Sequence, residues 1–318
     1  MINIKIYKII RGPHKKIILA SILILIIILA LVFFYIKYRK QNNETFNDIP
    51  ITTSSFESNI EIVKNPYIKT NTPTNTPGST NINSADVIWQ KQDTDFMKNN
   101  FPSTFEFDNL IKEDIIAKAL TLPHNHCIID CGAHIGDGSI PIAHALKYHN
   151  REDIIVYAID PSKYKCDFIE FIKQKNNLNN LIVLNYGLSN VNNTYKSLQQ
   201  SGANSGAWDW VSTNDNIENQ DIVNRFIKLD DLVKDNIIKH HIGIIHFDVE
   251  GMEKEAIQGS IDTITKYKPY MSIENNHKSG KDANGAENSA NNQYFIQFLP
   301  EGYKHIYNKQ ENNILISE

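Results

Sequence analysis

Cysteine is scarce. The 318 residues hold three, Cys127, Cys131 and Cys166, with no CxxC pair and no Cys/His spacing of the kind that binds zinc. So odd and scattered a set makes no disulfide framework, and Cys127 and Cys131 fall in or beside an apolar run where cysteine acts as a small hydrophobe. Acidic residues are absent from positions 1 to 40, which carry eight Lys or Arg. The formal net charge of -4 therefore hides a body with 24 basic against 36 acidic residues, a net of -12. A surface of that sign repels phosphate backbones, so no nucleic acid is expected as a partner. The G-x-G-x-x-G fingerprint of dinucleotide-binding turns is also missing. What is present in quantity is apolar: 41% of the chain, enough for a substantial core.

Residues 17–36 are almost wholly apolar, broken only by Ser21 and Tyr35, and flanked by Lys15-Lys16 and Lys37-Tyr38-Arg39-Lys40. At about 1.5 Å per residue such a helix spans roughly 30 Å, the thickness of a hydrocarbon core. The apolar region of a cleaved signal peptide is about 7 to 15 residues and ends at small residues; this run is longer and ends in aromatic and basic ones. The chain thus reads as a basic tail (1–16), one transmembrane helix (17–36) in the lipid bilayer, a disordered polar stem (37–85) and a globular domain (86–318). The stem repeats Thr-Asn-Thr-Pro at 70–73 and 74–77, and as a flexible chain it would span roughly 40 Å. Five basic residues precede the helix and three follow it, which by the positive-inside tendency sends the domain across the membrane. The unpaired cysteines favour the reducing side instead.

From residue 86 helical and strand patterns alternate, as in a mostly parallel sheet covered by helices on both faces. A helix is expected over 106–122, then strands at 127–130, 154–160, 181–184, 242–247 and 270–273. His124, His126, His240 and His241 fall outside these runs and read as loop residues. Ser162 suits the N-cap of the helix after the second strand. One helix should fill 252–266, and an antiparallel pair should close the sheet near the C-terminus.

The stretch Asp130-Cys131-Gly132-Ala133-His134-Ile135-Gly136 follows the first strand. Glycine has no Cβ and accepts positive φ, so such a turn lets a ligand approach the backbone. The acid two residues before the first glycine suits a ligand with a cationic amino-acid end, as S-adenosylmethionine (SAM) has, better than a diphosphate. Asp160, ending the second strand before Pro161-Ser162, is placed to accept both ribose hydroxyls of an adenosine ligand. NAD carries the same ribose; Asp130 distinguishes the two. The expected cofactor-binding set is Asp130, Gly132, His134, Gly136, Asp160, Pro161 and Ser162.

A second constellation comprises Leu229-Asp230-Asp231-Leu232 and Asp248-Val249-Glu250-Gly251 with Glu253. Together with Asp130, Gly132, Ala133, Gly136 and Asp160-Pro161 it resembles the FkbM-type SAM-dependent methyltransferases, over roughly residues 100–318. His134 stands where that family usually has Asn, His246 where Lys is common, and Asp160 where Glu is commoner. The resemblance implies a Rossmann-like class I methyltransferase fold with a seven-stranded sheet, SAM as donor, and transfer to a hydroxyl oxygen of a sugar, glycan or other small molecule. Asp248 or Glu250 would orient the acceptor and take its proton, with His277 in reserve. Glu250 equally suits a helix N-terminus stabilised by the macrodipole, and Asp230-Asp231 a helix cap. No metal is assigned, although Asp248, Glu250 and Glu274 form an oxygen-rich set of the kind Mg²⁺ uses. Rival readings are a silent membrane-tethered binding module and an NAD-linked sugar-nucleotide dehydrogenase.

Overall fold

The computed structural model describes residues 56–57, 60–65, 68, 85–90, 109–200, 208–212, 224–274, 295–309 and 312–317. The first elements are β1 (Ile60–Lys64), β2 (Asp86–Gln90), α1 (Asn109–Leu120), β3 (His126–Cys131), α2 (Ser139–Tyr148), β4 (Ile155–Ile159), α3 (Lys163–Asn176) and β5 (Leu181–Leu184). There follow β6 (Gly187–Leu188), β7 (Asn193–Gln200), β8 (Trp208–Ser212), β9 (Asn224–Ile227), α4 (Leu229–Lys234), β10 (His241–Phe247), α5 (Glu253–Gln258) and α6 (Ile261–Tyr267). The chain then forms β11 (Tyr270–Glu274), a 3₁₀ turn (Phe295–Phe298), β12 (Tyr303–Lys309) and β13 (Asn312–Ser317).

The principal sheet runs β12-β13-β11-β10-β3-β4-β5. Its centre is parallel from β11 to β5, and β13 and β12 close one edge antiparallel. This is the expected Rossmann-like arrangement. Parallel strands covered on both faces are apolar along their whole length, which explains the unbroken runs read from the sequence. Successive side chains of a strand point to opposite faces. Ile128 accordingly joins a core with α2, α3 and Trp89, while Cys127 and Ile129 join another with Leu229, Ile257 and Ile264. All three cysteines are buried free thiols, and burial raises their pKa.

Three expectations need correction. The stem does not run unbroken to residue 85, because β1 pairs antiparallel with β2. Phe56 and Ile68 are buried, and Phe56 packs edge-on against Phe168 with ring centroids 5.1 Å apart. Asn65 is buried too, its amide donating to the Pro141 carbonyl at 2.9 Å and meeting His144 Nδ1 at 3.1 Å. The strand is a five-residue run, Ile60-Glu61-Ile62-Val63-Lys64, too short to stand out from a stretch otherwise rich in Thr, Asn and Pro. The helix expected over 252–266 is two helices, divided at Gly259-Ser260. A Cβ on Gly259 would stand 2.0 Å from the Ser189 carbonyl oxygen, so the chain bends where another backbone passes. His126 and His241 are not loop residues but register partners that open β3 and β10, their rings 4.3 Å apart. Residues 17–36 lie outside the described residues. Among the described residues no helix is long and apolar enough to cross a membrane.

A second sheet, ordered β6-β9-β7-β8, grows from the carboxyl end of β5. Positions 213–223, between β8 and β9, lie outside the described residues.

Candidate active site

The carboxyl ends of β3, β4, β10 and β11 carry Asp130, Asp160, Asp248 and Glu274, and the register of the parallel strands brings them to one rim. In such sheets ligands gather at that rim.

Asp160 is the best-defined of these groups. It is 4% exposed, and each carboxylate oxygen accepts a backbone N–H: Oδ2 from His134 at 3.0 Å, Oδ1 from Ser162 at 2.8 Å. Burial raises its pKa, while the Lys165 ammonium and the two N–H groups pull it down. Ser162 is the N-cap of α3 as expected, its side chain accepting from Lys165 N. Asp160 therefore fixes the glycine turn to the start of α3. Pro161 is half-buried between the two.

Gly132 and Gly136 both have φ +86°. A Cβ on Gly132 would lie 1.6 Å from the Asp248 carbonyl oxygen, and one on Gly136 2.8 Å from Ile140. On the side where a Cβ would stand, the backbone that crosses Gly132 is the protein's own. This crossing joins the two sequence motifs, and Asp248 N donates to the Cys131 carbonyl beside it at 2.9 Å. His134, buried with φ +48°, contributes its backbone N–H to Asp160. Asp130 is also buried, and its Oδ2 accepts a hydrogen bond from the Ser139 hydroxyl at the start of α2.

After β10 the chain turns sharply, with φ +54° at Glu250 and +93° at Gly251. Glu253 shapes the turn. It is fully buried, and its Oε1 accepts from Val249 N at 3.2 Å and Gly251 N at 3.0 Å. Sequence reasoning assigned this acid no role, because it is the first residue of its helix and not the third, where a capping box would place it. Glu250 precedes the helix and is not in its first turn. Asp248 hydrogen-bonds Glu274, and desolvation together with the charge of Glu274 raises its pKa well above the carboxylate range.

Asp230 is a cap, but for another helix. Its carboxylate accepts from Asp262 N at 3.2 Å and Thr263 N at 2.8 Å at the start of α6, a pairing across 33 residues that local spacing does not disclose. His277 lies outside the described residues. Among the described residues no group of His, Cys, Asp or Glu converges as a metal site.

A family model for the methyltransferase FkbM domain matches residues 130–306, from the acid of the glycine turn to β12. No curated protein matches the sequence. Among solved structures, a methyltransferase FkbM from Methylobacillus flagellatus KT is similar at 16% identity and TM-score 0.41, covering 67% of this chain and 48% of that one. An rRNA methylase from Streptococcus thermophilus is similar at 12% identity and TM-score 0.34, over 64% of this chain and 92% of that one. TrmK from M. capricolum, solved with S-adenosylhomocysteine, is similar at 13% identity and TM-score 0.29, over 64% and 66%. This chain thus spans about half the length of the Methylobacillus protein. With the domain model covering more than half its residues, the chain belongs to the FkbM methyltransferase family.

Proposed function

We propose that the protein transfers a methyl group from SAM to a hydroxyl oxygen of a sugar, glycan or related small molecule, held at a lipid bilayer by residues 17–36. The observation that carries this reading is Asp160: a buried carboxylate at the end of β4, immobilised by two backbone donors. Each of its oxygens keeps a lone pair for a ribose hydroxyl. Asp130 and the turn through Gly136 would hold the amino-acid end. These residues fit the donor, since Asp160 is fixed before any ligand arrives and the acids complement a cationic molecule.

Bound SAM supplies an electrophilic methyl group; the protein aligns the acceptor and removes its proton. Asp248 suits the base. Its affinity for a proton is raised by burial and by the adjacent Glu274. Glu250, on the turn that Glu253 braces, orients the hydroxyl.

Titration calorimetry of the full-length protein with SAM, S-adenosylhomocysteine and NAD tests the donor. Binding of the two adenosyl ligands without NAD is expected; NAD binding alone would indicate a dehydrogenase, and no binding a silent module. Incubation with labelled SAM and glycan and lipid extracts then identifies the acceptor, and a label found only in protein or nucleic acid would overturn the hydroxyl assignment. Unchanged turnover in EDTA is expected. Retention in the membrane pellet after carbonate extraction is expected of the anchor, and release would refute it.

A further inference from the structure

The pairing of β4 with β5 ends beside the candidate site, and a side chain completes it. Ile159 lies opposite Leu184 in that parallel pair, and Asp160 N still donates to the Leu184 carbonyl at 3.2 Å. A parallel ladder continued by one rung would bring Tyr186 N to the Asp160 carbonyl. Tyr186 N turns back instead and donates to the Leu184 carbonyl at 3.0 Å. Asn185 fills the place it leaves: its Nδ2 donates to the Asp160 carbonyl at 3.1 Å and to the Pro161 carbonyl at 2.8 Å. Both partners are acceptors, so the amide presents its NH₂ group to them.

The second of these bonds bears on the bend between β4 and α3. Pro161 has no N–H with which to tie that bend to its surroundings, so its carbonyl is the backbone group left to do so. The Asp160 carbonyl has a further donor in the buried Cys166, whose Sγ lies 3.3 Å away, but a thiol is a weak one. Asn185 itself is exposed, and its loss uncovers no core. What it fixes is the pair of peptide groups beside the Asp160 side chain. His134 N and Ser162 N hold the carboxylate towards the glycine turn and α3, and Asn185 holds the same residue from the β5 side.

We propose that Asn185 is a positioning residue of the donor site, acting through Asp160 to aim its carboxylate at the ribose hydroxyls of the methyl donor. The proposal rests on the SAM reading given above. Hydrogen bonds from the hydroxyls to the carboxylate depend steeply on distance and angle. Loss of Asn185 should therefore weaken recognition of the hydroxyls and leave the other contacts of the ligand in place.

Calorimetry on the full-length protein, with thermal melts of the same samples, compares S-adenosylhomocysteine with its 2′,3′-dideoxy analogue in wild type, Asn185→Ala and Asn185→Gln. Wild type should prefer the hydroxylated ligand at least about ten-fold, as expected for bonds to a charged acceptor. In Asn185→Ala that preference should fall about five-fold, on the scale of one hydrogen bond, with Tm and affinity for the dideoxy analogue close to wild type. Asn185→Gln keeps both donors on a longer arm at an exposed position and should recover most of the preference. Asn185→Leu, of similar shape without the donors, replaces Asn185→Ala if that variant does not fold. A residue that only stabilised the fold, or one that touched the adenine directly, would weaken both ligands together, so an unchanged ratio overturns the proposal. Wild type that binds both ligands equally would sink the ribose role of Asp160, and wild type that binds neither would sink the SAM reading itself; each is distinct from an unchanged ratio in the variant.

Discussion

Asp248 and Glu274 stand side by side at the carboxyl ends of β10 and β11 and share a hydrogen bond. Two carboxyl groups so placed cannot both ionise without cost, and one keeps its proton above the pH at which a free carboxyl would lose it. A raised folded pKa stabilises the protein below the unfolded value, near 4, and that stability is lost as pH rises through the folded pKa. Thermal unfolding should therefore show wild type losing stability as pH is raised above about 4. In Glu274→Gln the like charge is gone and the loss should shrink, by about 1 kcal/mol or a few degrees of Tm at pH 8. Parallel curves for the two proteins would show that the pair is not coupled.

The crossing of Gly132 and Asp248 is a second point of sensitivity. An alanine methyl at 132 would meet a carbonyl oxygen at 1.6 Å and also require a left-handed backbone. Gly302 has a similar φ of +96°, with nothing within 4 Å of the place a methyl group would take. Gly132→Ala should cost more than about 4 kcal/mol or fail to fold, whereas Gly302→Ala should cost about 1–2 kcal/mol of backbone strain alone. Denaturant titration of both variants separates the steric cost from the conformational one; equal costs would mean the backbones do not cross there.

The sequence disclosed what repeats locally and concealed what is fixed at a distance. Strands β3, β4, β5, β10 and β11 were legible because each is a short apolar run between polar turns, and Ser162 because a cap lies beside the helix it serves. Asp130, Asp160 and Asp248 were legible as strand-end acids. The crossing that demands Gly132 and the cap that Asp230 gives α6 were not, since each joins segments tens of residues apart. Strand β1 was hidden by its shortness within a polar stretch: its burial pattern leaves Glu61, Ile62 and Lys64 exposed, and only its partner β2 defines it.

That hidden strand changes where the domain begins. A fragment starting at residue 86 would lose Phe56, β1 and Asn65, leaving β2 without its antiparallel partner and uncovering Phe168 and Phe171. A fragment starting at Ile51, the first residue of the larger compact unit, retains them. The shorter fragment should be less stable by about 3 kcal/mol or more, judged from the loss of one buried phenylalanine alone. Limited proteolysis and thermal melts of the two fragments decide the matter, and equal stability would place β1 outside the folding unit.

Glu253 offers a test of how the turn bearing Glu250 is held. Glu253→Ala leaves two backbone N–H groups, of Val249 and Gly251, without their acceptor, at about 1–3 kcal/mol each if they stay buried. Glu253→Gln keeps an acceptor oxygen of the same reach and should recover most of that loss. Hydrogen exchange should report faster exchange at Val249 and Gly251 in the alanine variant and near wild-type protection in the glutamine variant. If both variants exchange alike, the carboxylate does not brace the turn.

The most direct challenge to the site is Asp160, because its two roles predict different losses. As a structural group it satisfies His134 N and Ser162 N; as a ligand group it would accept ribose hydroxyls. Asp160→Asn retains one acceptor oxygen and the side-chain volume, so the fold should survive with roughly 1–2 kcal/mol lost. The amide turns one acceptor into a donor and removes the charge, which should weaken S-adenosylhomocysteine binding at least about ten-fold, as for a charge-assisted hydrogen bond lost from a buried site. Asp160→Ala should lose both. Calorimetry and thermal melts on the same samples keep the two apart: a variant that melts like wild type yet binds no ligand supports the ribose role. Retained affinity in a destabilised Asp160→Asn would make Asp160 a clamp between the glycine turn and α3, and would move the donor site away from β4.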